Sequence, residues 1–287
     1  MKPIIYKVSP ASESSFNIRE VRLPYFDATW HFHEEFELVL IRQSSGKRLI
    51  GNHISNYEPG NLCFLGPGLP HLYRCDETYC KAGENTNAVS IVIQFSEQFL
   101  GEPFFNTPEM EITRRIMEKA LLGLHIYGDS RNLIATKMVE MLDLRGLEKL
   151  IHLLSIFNIL THTKEYVALS KPGSIANSIK DTERMNVIYD YVLQNYRKTV
   201  SLKEVAKRVN MSTSAFSRYF KLRTKKNFLL FVTEMRISHS CKLLLEGDVT
   251  IALISVKSGF NNVSNFNRHF KLITGTSPLK YKQECND

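Results

Sequence analysis

Two segments in the C-terminal third of the chain repeat each other. Residues 215–222 are Ala-Phe-Ser-Arg-Tyr-Phe-Lys-Leu, and residues 265–272, fifty positions later, are Asn-Phe-Asn-Arg-His-Phe-Lys-Leu. Upstream, Ser201-Leu202 corresponds to Thr250-Ile251 with an offset of forty-nine. Ser and Thr are good helix N-caps, and the one-residue slip falls in a turn, where an insertion is tolerated. The repeat therefore predicts two copies of a helix–turn–helix.

The turn of each copy contains a residue that tolerates a left-handed backbone. Asn210 occupies this place in the first copy and Gly259 in the second. A sharp corner between two helices often requires that conformation. Both turns therefore support the predicted pair of short, angled helices.

The second helix of each copy is predicted to have two different faces. Aromatic residues four apart predict a buried side: Phe216 with Phe220, and Phe266 with Phe270. The opposite side carries polar residues at i, i+3, i+4 and i+7: Ser214, Ser217, Arg218 and Lys221, and then Ser264, Asn267, Arg268 and Lys271. Such a stripe fits a helix in the major groove of DNA, and a solvated face is the alternative.

The positive charge of the chain is concentrated in the same region. Residues 182–287 contain 18 Lys and Arg against 8 Asp and Glu, a net charge of +10. The remaining residues contain 19 against 21, a net charge of −2. A basic domain beside a near-neutral body indicates a polyanionic partner, and a solvated basic surface without a partner is the alternative.

Five motifs extend the pattern over the whole basic region. They are Ser-Leu-Lys-Glu-Val-Ala (201–206), Ser-Ala-Phe-Ser-Arg-Tyr-Phe-Lys (214–221), Gly-Phe (259–260), Ser-Asn-Phe-Asn-Arg-His-Phe-Lys (264–271) and Thr-Gly-Thr-Ser-Pro-Leu-Lys-Tyr (274–281). With them, residues 182–284 resemble the DNA-binding domain of the AraC/XylS family of bacterial transcription regulators. The resemblance implies two helix-turn-helix units that enter successive major grooves. It also implies a long joining helix, about 227–246, which contains the recurring family arginine, Arg236. Ser240 and Ser255 depart from the family's usual Ala.

The resemblance also implies roles for the two polar stripes. Base contacts are expected from Ser214, Ser217 and Arg218 in the first unit, and from Ser264, Asn267 and Arg268 in the second. Phosphate contacts are expected from Lys221 and Lys271. The expected partners are double-stranded promoter DNA, a small-molecule effector, a second copy of the chain and RNA polymerase.

Residues 1–106 are predicted to form strands and turns. Strand-like runs at 36–41 and 89–95 alternate with turn signals at Ser44-Ser45-Gly46, Pro59-Gly60 and Gly66-Pro67-Gly68. Many short strands separated by Gly and Pro predict a small barrel or sandwich.

Residues 107–168 are predicted to form a helical segment. The third of its helices, about 145–162, is apolar nearly all round, so it must be buried in its own domain or against a partner chain. We therefore expect this segment to contribute to a homodimer. Residues 169–181 have the composition of a linker, and residues 182–287 form the DNA-binding domain.

The early strands carry a second group of candidate functional residues. His31, His33 and Glu37 share one parity, so along an unbroken strand they face one side, and His71 ends a Gly-x-Leu…Pro-x-x-Pro-His motif at 60–71. The spacing resembles cupin barrels, whose metal enzymes bind an ion with three His and one Glu. It also resembles the sensor domains that precede AraC-type DNA-binding domains, in which similar histidines commonly persist without a metal. Three interpretations remain open: structural histidines, contacts to an organic effector, or ligands of a metal ion.

The predicted fold class is α+β with several domains. It comprises an N-terminal cupin-like β-barrel with a helical dimerisation segment and a C-terminal all-α domain with two helix-turn-helix units. We expect a transcription regulator that responds to a small organic effector, with a sugar as one candidate. The alternative is a metal-dependent cupin enzyme fused to a DNA-binding domain.

We expect no catalytic residues, because the other histidines are scattered along the chain. We also expect no cofactor and no bound metal, since similar histidines commonly persist without a metal in the sensor domains that this region resembles. The most apolar stretch, 150–160, is interrupted by His152, Ser155 and Asn158, which excludes a membrane span there. The five cysteines are odd in number and lack CxxC spacing. This usage fits a reducing environment and predicts a cytoplasmic location.

Overall fold

The computed structural model describes residues 14–26, 30–76, 88–171, 179–245 and 249–284. The chain divides into two compact units, with the main boundary along the sequence after residue 177. Most of the predicted linker, residues 172–178, lies outside the described residues, whereas residues 179–181 already belong to a helix.

The first unit contains two antiparallel sheets. Its strands are Phe16–Leu23 (β1), Phe36–Gln43 (β2), Gly46–Ile50 (β3), His53–Tyr57 (β4), Leu62–Leu65 (β5), His71–Cys75 (β6), Ala88–Phe95 (β7), Leu124–Ile126 (β8) and Tyr166–Ala168 (β9). The larger sheet has the order β1-β7-β2-β5-β8-β9, and the smaller has the order β4-β3-β6. In β7 every residue is buried, because β1 and β2 flank it and side chains cover both of its faces.

The described strands do not close into a barrel, so the barrel in the predicted fold class is not confirmed. Strand β6 pairs with β3 over five residues, but on the described part of its other side it has only a single bridge, from His71 to His31. The described strands therefore form two separate sheets. The α+β class that the sequence predicts agrees with this arrangement.

The helical part of the first unit also supplies two strands to the larger sheet. Its helices are Glu102–Phe105 (α1), Glu111–Ala120 (α2), Gly128–Glu140 (α3) and Gly146–His162 (α4), with a 3-10 turn at Pro108–Met110. The prediction of a helical segment at 107–168 did not include β8 and β9, because three residues are too few to show a strand period. The sheet interior includes Phe95, whose ring lies 5.3 Å from that of Phe157 in α4.

Helix α4 is buried on one side only. Leu153, Ile156 and Leu160 are fully buried, whereas Leu147 is 70% exposed and Ile151 is 49% exposed. Within the unit, the predicted burial of this helix is therefore observed for one face. The other face is accessible to solvent or to a partner.

From residue 179 onward, the described part of the second unit is all-helical. Its helices are Ile179–Asn195 (α5), Leu202–Arg208 (α6), Thr213–Thr224 (α7), Phe228–Leu245 (α8), Ile251–Lys257 (α9), Val263–Thr274 (α10) and Pro278–Glu284 (α11). The two predicted helix–turn–helix copies are α6 with α7 and α9 with α10, and the long helix α8 joins them. Ser201 and Thr250 accept hydrogen bonds from backbone N–H groups of α6 and α9, which confirms both as N-caps.

The two corner residues have the left-handed backbone that the sequence predicts. Asn210 has φ 55° and Gly259 has φ 86°. A Cβ atom on Gly259 would lie 2.8 Å from the carbonyl oxygen of Tyr196, so this position also needs glycine for close approach. Arg236 of α8 donates to the same carbonyl oxygen at 2.7 Å, which ties the end of α5 to the joining helix.

The core of the second unit is built from the aromatic pairs. Phe216, Phe220, Phe266 and Phe270 are all fully buried, as predicted. Ser240 and Ser255, the two departures from the family pattern, are fully buried as well. The Ser240 hydroxyl donates to the carbonyl oxygen of Ile237 at 2.7 Å, whereas the Ser255 hydroxyl has no hydrogen-bond partner among the described residues. No described helix in either unit is both long enough and apolar enough to cross a membrane.

His125 in β8 should make the stability of the first unit depend on pH. Burial, with the charges of Arg48 and Arg131, lowers its pKa from 6.5 to about 4. Between these values the unfolded chain binds a proton that the folded unit excludes. The free energy of unfolding should therefore fall as the pH drops through this window, by up to about 1.4 kcal/mol per pH unit.

The measurement is thermal unfolding at pH 7 and pH 5. His125→Asn should reduce the loss of stability on acidification, whereas His162→Asn, at an exposed histidine of α4, should leave it unchanged. An equal loss in the wild type and in both variants would contradict this role for His125.

Candidate functional site

The two polar stripes lie on the exposed faces of α7 and α10. All eight side chains are exposed: Ser214, Ser217, Arg218, Lys221, Ser264, Asn267, Arg268 and Lys271. The buried aromatic pairs occupy the opposite faces of the same helices. The predicted two-faced character of both helices is therefore observed, and the roles of the eight residues stay predictions.

Both stripes begin in the first turn of their helix. Ser212 caps α7 by accepting from the backbone N–H of Ala215, and Asn262 caps α10 by accepting from Ser264 and Asn265. The caps place Ser214 and Ser264 at the N-terminal ends, where recognition helices contact bases. The positive end of each helix dipole also faces this way, which favours an approaching phosphate.

The two arginines of the stripes differ in their surroundings. The Arg268 Nη2 atom donates to Oδ1 of Asn265 at 2.9 Å and lies 3.2 Å from Nε2 of His269. Among the described residues, the Arg218 guanidinium forms no hydrogen bond or ion pair. Arg268 is therefore held along α10, whereas Arg218 keeps all its donors for a ligand.

Two leucines extend the exposed faces and were not among the predicted contact residues. Leu222 is 60% exposed and Leu272 is 72% exposed. Each lies four residues after the stripe arginine, on the same side of its helix. The signal for them was present in the repeat itself, since both copies end in Lys-Leu.

The first unit contains a cavity of about 320 Å³ on one face of its larger sheet. Alternate residues of three neighbouring strands form its floor: Arg19, Val21 and Leu23 of β1, Glu37, Val39 and Ile41 of β2, and Ser90, Val92 and Gln94 of β7. Phe26, His31, His33, His71 and Tyr73 complete the wall. The four predicted effector-site residues, His31, His33, Glu37 and His71, are therefore brought together at one cavity.

His31, His33 and Glu37 do not lie on one unbroken strand, although their shared parity predicted one face only for an unbroken strand. Strand β2 begins at Phe36, and a bend at Glu34-Glu35 separates Glu37 from the two histidines before it. His31 instead forms an isolated bridge with His71. The convergence therefore depends on tertiary contacts between these segments.

The three imidazoles and the carboxylate form a tight cluster. The ring centroids of His31 and His71 are 4.3 Å apart, and those of His33 and His71 are 5.2 Å apart. The Nε2 atoms of His33 and His71 lie 3.2 Å and 3.5 Å from the two oxygens of Glu37. The side-chain amide of Gln94 also donates to Glu37, at 2.7 Å.

Burial and mutual contacts set the charges of this cluster. Burial and the neighbouring His31 lower the pKa of His71 to about 3, so His71 is neutral at pH 7. Burial acts against the ionised form of Glu37, but the hydrogen bond with His33 and the neighbouring histidines hold its pKa well below 4.5. Burial also acts against a charged His33, but Glu37 and Glu35 raise its pKa above 6.5.

The unprotonated Nε2 atom of the neutral His71 faces a carboxylate oxygen of Glu37, which is also a hydrogen-bond acceptor. The Nδ1–H of His71 donates to the carbonyl oxygen of Leu69 at 2.9 Å, so Nε2 carries no proton. That buried Nε2 has no hydrogen-bond partner among the described residues and faces the Glu37 carboxylate. Two facing acceptors repel each other unless a cation or a donor lies between them.

This donor set fits a divalent metal ion. One nitrogen from each of His31, His33 and His71 lies within 4.8 Å of the others. Imidazole nitrogens with a carboxylate oxygen are ligands for zinc, iron or manganese. Backbone carbonyls that hold Nδ1, from Glu35 for His33 and from Leu69 for His71, are the usual partners of metal-bound histidines.

Residues 205–284 match a protein-family model described as "Helix-turn-helix domain". The second unit therefore contains a helix-turn-helix domain. The match to this domain begins in α6 and ends in α11, so it includes both copies of the repeat. It does not extend to the first unit, and the cupin-like character predicted for that unit is not confirmed.

The chain matches relatives that are named as transcriptional regulators. It is 24% identical over 243 residues to an uncharacterised HTH-type transcriptional regulator from Staphylococcus aureus strain MSSA476, which covers 76% of this chain and 31% of the relative. An uncharacterised HTH-type transcriptional regulator from Bacillus subtilis strain 168 is 30% identical over 102 residues, 36% of this chain and 35% of the relative. The chain therefore matches about a third of the length of these curated relatives.

Two solved structures show weaker similarity. ToxT from Vibrio cholerae covers 94% of this chain and 98% of its own, with 16% identity and a TM-score of 0.35. The DNA-binding domain of AdpA, solved in complex with a target DNA, covers 34% and 87%, with 23% identity and a TM-score of 0.32. Because both scores are below 0.5, these similarities support no conclusion about this chain.

Proposed function

We propose that this chain is a sequence-specific DNA-binding transcription regulator and not an enzyme. The observation that carries the proposal is the pair of exposed polar stripes, at the same positions on the second helices of two helix-turn-helix units. A stripe that only faces solvent has no reason to occur twice with the same spacing and the same arginine and lysine. The relatives named as HTH-type transcriptional regulators support the same function.

The side chains of the stripes have the chemistry for base and phosphate contacts. Arg218 and Arg268 can each bind O6 and N7 of a guanine, and Asn267 can pair with an adenine. Ser214, Ser217 and Ser264 supply short hydroxyl groups for further base edges. Lys221 and Lys271 bind phosphates, which fixes each helix in its groove. Leu222 and Leu272 add apolar surface suited to a thymine methyl group.

The first unit supplies the signal in this proposal. A small-molecule effector in the cavity shifts a balance between arrangements of the two units, which changes the promoter half-sites that a dimer spans. The exposed Leu147 and Ile151 of α4 support a homodimer through the 107–168 segment, since large apolar side chains favour a covered surface. RNA polymerase is the further partner through which promoter binding changes transcription.

The proposal is tested by selection of duplexes from a random-sequence library with the full-length protein. We expect an enriched site whose affinity exceeds that of scrambled duplex at least a thousandfold at physiological salt. The affinity should fall steeply with added salt, because the +10 region displaces counterions from the duplex. No enriched sequence, with equal binding to all duplexes, would overturn the proposal.

A second candidate function, metal binding in the first unit, is favoured by the bare Nε2 of His71 facing Glu37. His31, His33, His71 and Glu37 would hold the ion, and the ion would supply a Lewis acid at the cavity wall. We expect protein loaded with zinc and then dialysed to retain one ion per chain by elemental analysis. His71→Ala and Glu37→Gln should abolish retention, and His125→Ala should not. Equal zinc content in all four proteins, or none in the wild type, would exclude this site.

A further inference from the structure

The cavity of the first unit has a polar end and an apolar end. The polar end combines the histidine cluster with Glu37, Gln94 and Arg19. The rest of the floor is apolar and is formed by Val21, Val39, Ile41 and Val92. In the strand register Glu37 pairs with Gln94 in one row. Val39 and Val92 form the next row with Arg19, whose side chain reaches back to Gln94 at the polar end.

Arg19 brings a positive charge into this cavity, where the described residues offer it no carboxylate partner. Its guanidinium is half-buried and donates from Nη1 to the Gln94 side-chain oxygen at 2.8 Å. Gln94 in turn donates to Glu37, so a neutral amide separates the guanidinium from that carboxylate. In the described part of the chain, no acidic side chain lies within 4.0 Å of Arg19.

Arg22 on the same strand shows the contrasting arrangement. It points away from the cavity, is 65% exposed, and pairs with Glu20 at 2.5 Å. On this strand the exposed Arg22 therefore has a carboxylate partner, whereas Arg19 in the cavity keeps unused hydrogen-bond donors. A guanidinium next to apolar walls is costly unless an anion pairs with it, and its planar fork matches a carboxylate.

We propose that the effector is a small amphipathic organic acid whose carboxylate binds the Arg19 guanidinium while its apolar part packs against Val21, Val39 and Val92. The inference rests on the proposed function in one respect, that the cavity is the effector site. It changes the expected class of effector, because a sugar would leave hydroxyl groups unpaired against the valine wall. The cavity volume is near the lower limit for ligand sites, about 300 Å³, so the acid is a small one.

The test is isothermal titration calorimetry of the full-length protein with a carboxylate and its neutral isostere. The probes are straight-chain acids from butanoate to decanoate, with phenylacetate, and the matching amides. Chelator is present throughout, so that an acid held by a metal ion does not imitate one held by Arg19. We expect at least one acid to bind ten or more times more tightly than its amide.

The variants Arg19→Gln and Arg22→Gln separate the two arginines. Arg19→Gln should remove the preference for acid over amide, Arg19→Lys should retain part of it, and Arg22→Gln should retain all of it. Thermal unfolding of each variant checks that the fold persists, and Arg19→Lys serves as the test if Arg19→Gln does not fold. Equal binding of acid and amide, an unchanged preference in Arg19→Gln, or no binding of any probe would overturn the proposal.

DNA binding by the same preparations keeps this inference distinct from the proposed function. Without acid, Arg19→Gln should bind the selected duplex as the wild type does. If acid binding depends on Arg19 but the protein prefers no duplex, the effector proposal stands and the proposed function is overturned. If the protein prefers the selected duplex but binds no acid, the proposed function stands and the effector proposal is overturned.

Discussion

Arg218→Ala and Arg268→Ala should each weaken binding of the selected duplex by roughly 5- to 150-fold, which corresponds to about 1–3 kcal/mol. Each substitution removes a planar donor pair from the exposed face of a recognition helix and leaves the buried face intact. The loss should be accompanied by weaker discrimination between the selected duplex and variants with base changes, because a guanine contact carries sequence information.

The measurement is fluorescence anisotropy with labelled duplex at a single salt concentration. Arg115→Ala is the matched control, since Arg115 is an exposed arginine of the first unit that pairs with Glu111. It removes the same charge and should leave the affinity nearly unchanged. Wild-type affinity in both stripe variants would refute the assignment of these helices to the groove.

Phe220→Ala should lower the free energy of unfolding of the second unit by about 3–5 kcal/mol. The ring is fully buried and lies 5.3 Å from the rings of Phe228 and Phe231, so truncation leaves a cavity between α7 and α8. Leu222→Ala, two residues away on the exposed face, should change stability by less than about 0.5 kcal/mol.

Two probes distinguish the units during denaturation. The chain has one tryptophan, Trp30, in the first unit, whereas far-UV circular dichroism is dominated by helix, most of it in the second. Phe220→Ala should shift the dichroism transition and leave the tryptophan transition in place. Equal shifts of both transitions in Phe220→Ala, or equal effects of the two substitutions, would contradict this packing.

The second unit was predictable because its signals are short-range. N-caps such as Ser201, corner residues such as Gly259 and aromatic pairs four apart each act within a single turn or helix. The repeat supplied a second copy of every signal, which excludes coincidence. Leu222 and Leu272 repeat as well, but they were missed because only polar side chains were taken as candidate DNA contacts.

The first unit was harder to predict because its site depends on contacts between distant segments. His31 and His71 meet through one isolated bridge, and Arg19 reaches Gln94 across the β1–β7 register. The alternation that would have revealed the cavity face is absent from β7, where both faces are buried. The strands β8 and β9 are too short for any periodicity to detect.

The central claim is that two copies of one helix each bind their own groove of a duplex. The most direct measurement is base-resolved selection with the wild type, Arg218→Ala and Arg268→Ala, side by side. Two blocks of specified bases should emerge, with centres about 10 base pairs apart, and each variant should lose its preference in a different block. A single block, or the loss of the same block in both variants, would contradict the claim.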